Sequence, residues 1–205
     1  MNVFEDCSER ALSSDLQWLN EPSHWGFNAD HSLSISAPAI ADFFIDPSGA
    51  TYKDSAPYLY TLIKGDFSIV TRVNVEMKQL YDSGCLMLMA DDRNWAKVCF
   101  EFFDNHPSIL SVVTRNTSDD CVSSPLEVQQ PYLRAARSGN CFAFHYSLDG
   151  QQWKLVRYFG MDFPEEIKVG VAAQAPISEG CQVRFQHLAI TAGTIGDIRT
   201  VPTEE

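Results

Sequence analysis

The sequence predicts an all-β protein, a two-sheet antiparallel sandwich, on three observations. Apolar and polar residues alternate with period two in segment after segment, with no helical stretches between them to suggest a parallel α/β sheet. Turn signals recur at roughly 8–12 residues, the spacing of short strands in a sandwich. The chain of 205 residues is 45% hydrophobic, enough for one substantial core.

Taken in order, Ser8 to Leu19 places Ala11, Leu12, Leu16 and Leu19 at mixed spacings before Asn20, Glu21 and Pro22. A short helix and an extended lead-in both fit that spacing. Leu33 to Ala37 alternates as an edge strand ending at Pro38. Asp46-Pro47-Ser48-Gly49 is a turn, and Tyr58 to Ile63 reads as a strand. Gly65-Asp66 then leads into FSIVTRVNVEM, where Phe67, Ile69, Val73 and Val75 alternate with Val70, Arg72, Asn74 and Glu76.

The central stretch, Gly84 to Phe103, reads as a hairpin around the polar tip DDRN. Pairing Ala90 with Trp95 sets Leu88 opposite Lys97, Leu86 opposite Cys99 and Gly84 opposite Glu101. Cys85, Met87, Met89, Ala96, Val98, Phe100 and Phe102 then form a wholly apolar core face. Asp104 to Pro107 turns the chain into ILSVVTR, and the polar, proline-containing segment from Asn116 to Pro131 reads as a long loop. A turn at Ser138-Gly139 pairs Tyr132 with His145, Arg134 with Ala143 and Ala136 with Cys141, and Asp149-Gly150 makes a further two-residue turn. KVGVAAQAP and VRFQHLAIT complete about ten expected strands. Without an internal repeat or linker, residues 1–205 read as one domain with a core over about 16–191, a short lead-in and a loose acidic tail. Phe67, Ile69, Met87, Val98, Phe100, Phe142, Phe144, Val171 and Phe185 are its expected core.

A formal net charge of −12 argues against nucleic-acid backbones and anionic membranes as partners. No apolar run approaches the roughly eighteen residues of a membrane span. MNVFEDCSERALSSDLQWLN shows no signal-peptide pattern, so a cytoplasmic setting is expected. Six cysteines without paired metal spacing are read as reduced, and the hairpin register sends Cys85 and Cys99 to opposite faces. No metal or cofactor is expected.

DFFIDPSG, GDFSIVTRV, SGCLMLMADDRNWAKVCFE, YLRAARSGNCFAFHYSLDGQQW, VGVAAQAP and VRFQHLAI occur in that order. Together they resemble the DUF1349 family, also called regulation-of-enolase-protein-like, of the concanavalin A-like lectin/glucanase superfamily, over roughly Leu16 to Thr191. The resemblance implies a jelly roll of two antiparallel sheets, one concave, and no established common reaction.

Strand parity sends Arg72, Trp95, Lys97, Glu101, Tyr132, Arg134 and His145 away from the apolar faces, and these seven are the candidate ligand-binding residues of the concave face. A planar aromatic beside charged and hydroxyl-bearing groups suits a sugar ring and its hydroxyls. The expected function is therefore non-catalytic binding of a glycan or sugar-like metabolite. Two alternatives stand beside it, a glycoside hydrolase using Glu101 and a protein-interaction module. Hydrolysis requires two carboxylates roughly 5–9.5 Å apart. The strand secures only Glu101, and no catalytic residue is assigned.

Overall fold

Alternating burial is the signature of a strand with one face in a core, and strands such as Leu33–Pro38 show it, whereas the central Ser83–Met89 is buried on both faces. The computed structural model describes residues 2–193 and 195–199. In chain order the strands are β1 Gln17–Leu19, β2 Trp25–Phe27, β3 Leu33–Pro38, β4 Phe43–Ile45, β5 Tyr52–Asp54, β6 Tyr58–Lys64, β7 Phe67–Val75, β8 Ser83–Met89, β9 Asn94–Phe103, β10 His106–Arg115, β11 Thr117–Pro125, β12 Tyr132–Ser138, β13 Cys141–Ser147, β14 Trp153–Gly160, β15 Glu166–Gln174 and β16 Gly180–Ala192. No helix occurs among the described residues, so none is long and apolar enough to cross a membrane.

One sheet has the order β1-β6-β15-β8-β9-β10-β11, the other β14-β13-β12-β7-β16-β3-β2, and β4-β5 forms a separate two-stranded ribbon. Every pairing is antiparallel. The sheets enclose a core that includes Phe67, Ile69, Val98, Phe100, Phe142, Phe144, Val171 and Phe185, all on the expected faces. Thr71 also takes a core position on β7, and its hydroxyl donates to His187 O at 2.5 Å where β16 bulges between Phe185 and Leu188. The bulge brings that carbonyl within reach of a buried polar side chain.

The central hairpin differs from the sequence reading by one residue. Met89 pairs with Trp95, Leu88 with Ala96, Met87 with Lys97, Leu86 with Val98 and Cys85 with Cys99. Strand β9 keeps its expected faces, but β8 is turned over. Leu86 and Leu88 enter the inter-sheet core, whereas Cys85, Met87 and Met89 face outward into a second apolar cluster. Gly84 marks the inward face, since a Cβ there would lie 2.5 Å from Val73 Cγ2 and 2.7 Å from Val183 Cγ1. A one-residue slip exchanges the faces of a strand.

The β12–β13 register is offset by two. Tyr132 pairs with Ser147, Arg134 with His145 and Ala136 with Ala143, because the turn occupies Gly139-Asn140 and Ser138 pairs with Cys141. An offset of two preserves faces, so Leu133, Ala135, Phe142 and Phe144 remain inward. The lead-in is extended, ending in β1, with no helix. The expected loop over 116–131 contains β11, a polar edge strand exposed along most of its length. The tail is docked over 195–199, where Ile195 and Ile198 pack with Ala136, Cys141 and Ala143; its other expected residues, 194 and 200–205, lie outside the described residues.

Phe100 is fully buried at the middle of this core. Phe100→Ala is expected to destabilise the protein by about 3–5 kcal/mol, through lost burial and the cavity left behind. Urea denaturation measures this, and a loss below about 1 kcal/mol contradicts the packing described.

Candidate functional site

The outward parity of β9 places Trp95, Lys97, Cys99 and Glu101 on the outer face of the first sheet, beside Cys85, Met87 and Met89 of β8. The β4-β5 ribbon lies across this face. Phe43 and Ile45 join Tyr58, Met87, Met89, Trp95, Leu110 and Val112 in the second cluster. Trp95 is therefore not the stacking platform that its sequence context suggests. It is only 1% exposed and meets Phe43 edge-on at 6.1 Å between ring centroids.

Lys97 is 2% exposed, so its ammonium requires protein partners. Nζ donates to Phe43 O at 2.8 Å and to Gln174 Oε1 at 2.9 Å, and stands 3.7 Å from Asp42 Oδ1. Gln174 Nε2 in turn donates to Asp42 Oδ1 at 2.9 Å. Burial works against the charge, but Asp42, with Cys99, Cys85 and Glu101 adding to its effect, outweighs it and raises the Lys97 pKa above the ordinary value.

Beyond this bracket the outer face opens into a cavity of about 280 Å³. Asp42, Lys97, Glu101, Asp120 and Gln174 supply its polar groups, and Phe44, Tyr81, Phe103, Val112 and Pro176 its apolar surface. Glu101 is 8% exposed, yet among the described residues no protein hydrogen bond or ion pair reaches its carboxyl group. Burial drives its pKa well above the usual carboxylate value despite the opposing pull of Lys97, with Cys85, Asp120 and Asp42 adding to the rise. Burial also raises Asp120 against the pull of Lys97. Glu101 thus faces the cavity with both oxygens uncommitted, and burial favours its protonated form, which donates one hydrogen bond and accepts others.

The turn before β8 fixes the cavity rim. Asp82 is buried, and its Oδ2 accepts from the N–H groups of Lys78 and Gln79 at 2.9 and 3.0 Å, while Oδ1 accepts from Ser178 Oγ at 2.6 Å. That anchoring holds Tyr81 at φ 72°, a region costly for an aromatic residue, with its ring 6.2 Å from that of Phe103.

The other four candidates do not join this site. Arg72, Tyr132, Arg134 and His145 lie on β7, β12 and β13 of the second sheet, outside the shared core. The expected convergence on one face fails because the β7–β12–β13 group and β9 belong to different sheets, each with its own outer face. Arg72 donates to Gln130 O at 3.2 Å and Gln186 Oε1 at 3.1 Å, and its guanidinium lies 5.3 Å from the Tyr132 ring. The Arg134 guanidinium lies 4.3 Å from the Trp153 ring, and its Nε donates to His145 Nδ1 at 3.4 Å. His145 Nε2 is 3.1 Å from Ile198 O and donates to it in the tautomer that leaves Nδ1 as acceptor. This network ties three strands to the C-terminal segment.

The sequence reading missed Asp42, Phe44, Tyr81, Phe103, Gln174 and Pro176 and placed Asp120 in a loop. Tyr81, in the QLYDSG turn just before the central hairpin, and Phe103, two residues past Glu101 on the same strand, carried local signals. The rest reach the cavity through long-range pairing.

The DUF1349 model, described as a protein of unknown function, matches residues 18–193. A functionally unknown protein from Saccharomyces cerevisiae has a similar structure, with TM-score 0.82, 26% identity, and coverage of 88% of this chain and 97% of that one. The GH43 protein BlXynB from Bacillus licheniformis, as its K247S mutant, gives TM-score 0.74 at 15% identity, covering 94% of this chain but 39% of that one. The carbohydrate-binding module CBM66 from Bacillus subtilis gives TM-score 0.58 at 11% identity, covering 85% and 95%. These last two likenesses are of fold. No curated protein matches by sequence.

His145 supplies a direct check of the second-sheet network. Burial, reinforced by Arg134, lowers its pKa from 6.5 to about 3. A depressed histidine pKa means that the unfolded state binds the proton first. The stability it carries is complete above about pH 6.5 and declines as pH falls toward 3, by at most about 1.4 kcal/mol per pH unit. Histidine NMR is expected to show His145 unchanged between pH 5 and 8, and titration within that interval contradicts the network.

Proposed function

The chain belongs to the DUF1349 family, and from the geometry of its pocket we propose that it is a non-catalytic sugar-binding sandwich. The observation that carries this reading is Glu101: a buried carboxyl with no protein hydrogen bond, facing a cavity that also holds aromatic side chains. Its oxygens make no protein hydrogen bond and are open to the cavity, where a ligand can reach them. A sugar hydroxyl supplies the missing partner, and Tyr81 and Phe103 offer ring surface to the apolar face of a pyranose or furanose. The volume lies just below the usual range of small-molecule sites, which favours one terminal sugar unit over a long chain. The CBM66 likeness supports the reading at the level of architecture.

The hydrolase alternative draws on Asp42 and Asp120, which line the same cavity as Glu101. A hydrolase needs an ionised partner opposite its acid. Asp42 is committed to Lys97 and Gln174, and Asp120 is itself shifted toward the neutral form. Binding without cleavage accounts better for this arrangement. A protein-interaction role would favour a flat apolar patch, whereas this site is recessed and polar-floored. We also propose a reducing, cytoplasmic setting for the protein.

Glu101→Gln separates binding from stability. Between pH 4.5, the ordinary value for this carboxyl, and its raised folded value, the unfolded state releases the Glu101 proton first, so wild-type stability falls as pH rises. The amide does not ionise. The variant is therefore expected to melt higher than wild type at pH 7, to match it below about pH 4, and to bind sugar at least tenfold more weakly. Isothermal titration with a pentose and hexose panel that includes xylose and arabinose reads the affinity. No binding by wild type, or equal binding by both proteins, overturns the proposal.

A further inference from the structure

Directly opposite each other on β8 and β9, Cys85 and Cys99 are fully buried, with their sulfurs 3.0 Å apart. The ladder explains the closeness. Ala90 N–H donates to Asn94 O, and Phe102 N–H donates to Asp82 O, so the hydrogen-bonded pairs fall on the even-numbered residues of this hairpin. Cys85 and Cys99 are consequently a non-hydrogen-bonded pair, the type in which Cα atoms approach to about 4.5 Å and side chains lie closest. That spacing falls within the roughly 4.4–6.8 Å spanned by a disulfide. The sulfurs also lie next to the polar bracket of the cavity, since Cys85 Sγ is 3.8 Å from Gln174 Oε1. Gln174 and Lys97 both line the cavity, so a single side chain separates the thiol from it.

We propose that Cys85 and Cys99 form an oxidant-sensitive modification site that hydrogen peroxide converts into a cross-strand disulfide. The Cys85 thiolate attacks one peroxide oxygen and the O–O bond breaks. The departing hydroxide takes a proton and leaves as water, giving a sulfenic acid on Cys85. The Cys99 sulfur then attacks the Cys85 sulfur; the S–S bond forms, the S–O bond breaks, and the hydroxyl leaves as a second water with the Cys99 proton. The two thiols together lose two electrons, and the peroxide gains them.

The surroundings distinguish the two sulfurs. Burial opposes ionisation of Cys85, but contact with Cys99 and the Lys97 charge outweigh it and lower the Cys85 pKa. Burial raises Cys99 well above the ordinary thiol value, with Cys85 adding to the rise. The Lys97 charge favours a thiolate on the pair, and the sulfur that keeps its proton serves the second step. Forming the bond draws the Cys85 sulfur toward Cys99 and changes its contact with Gln174, the residue that joins Lys97 to Asp42. That consequence for the cavity rests on the sugar-site reading; the bond itself does not.

The test uses the folded wild-type protein. The exposed Cys121 and half-buried Cys141 are blocked with iodoacetamide, the protein is treated with hydrogen peroxide, and the remaining thiols are alkylated after denaturation. Peptide mapping is expected to find the peptides bearing Cys85 and Cys99 joined, two hydrogen masses lighter and released by dithiothreitol. Free Cys85 and Cys99 after treatment, a sulfinic acid at Cys85 without the link, or linkage to another cysteine overturns the proposal. The oxidised protein is then titrated with the same sugar panel, with at least a threefold loss of affinity expected. Equal affinity in both forms removes the coupling to the cavity. If neither form binds sugar while the link is found, the sugar-site reading fails and the modification site stands.

Discussion

The ammonium of Lys97 sets the arrangement of the site. A charge buried on the third strand from one edge of a sheet is tolerated only where partners replace its lost water. Here they come from two separate parts of the chain: the carbonyl of Phe43 on β4 and the carboxylate of Asp42 just before it, and the amide of Gln174 on β15. Meeting that demand draws the β4-β5 ribbon across the first sheet, with Phe43 beside Trp95 and Tyr58. The ribbon converts most of the sheet's outer face into a second apolar core. What remains open is the end of the face where Glu101, Asp120 and the Tyr81 turn meet.

The two outer faces of the sandwich treat buried polar groups in opposite ways. On the second sheet, His145 has partners at both ring nitrogens, and Arg134 has its plane against Trp153. Those contacts fix the neutral tautomer and hold Ile198 against the sheet. On the first sheet, Lys97 is satisfied but Glu101, four residues along the same strand, is not. Two positions of one parity thus show the difference between a structural polar group and one held ready for a ligand. The fold tolerates the second because the surrounding core is extensive, and because burial favours the protonated form of the acid over a buried charge.

Much of the architecture was legible from alternation, because β7, β9, β12 and β13 each carry one clearly apolar face. β8 was not, and its composition explains why. GCLMLM is apolar or small throughout and buried on both faces, so nothing in it indicates which residues point inward. Strand β11 failed in the opposite sense, since a polar edge strand with exposed faces has the composition of a loop. Parity correctly sent Lys97, Glu101, Arg134 and His145 outward. It carries no information about which sheet receives a strand, and that assignment separated them into two groups. Likewise, the covering of Trp95 by β4 depends on a contact between residues 43 and 95, beyond the reach of any local pattern.

The protonation state of Glu101 tests the account most directly. Side-chain carboxyl carbons are followed by ¹³C NMR through a pH titration of labelled protein, and Glu101→Gln identifies the resonance. The account predicts a Glu101 carbon that titrates well above pH 4.5 and shifts when a binding sugar is added. A Glu101 carboxyl that ionises near pH 4.5, unchanged by every sugar tested, contradicts it.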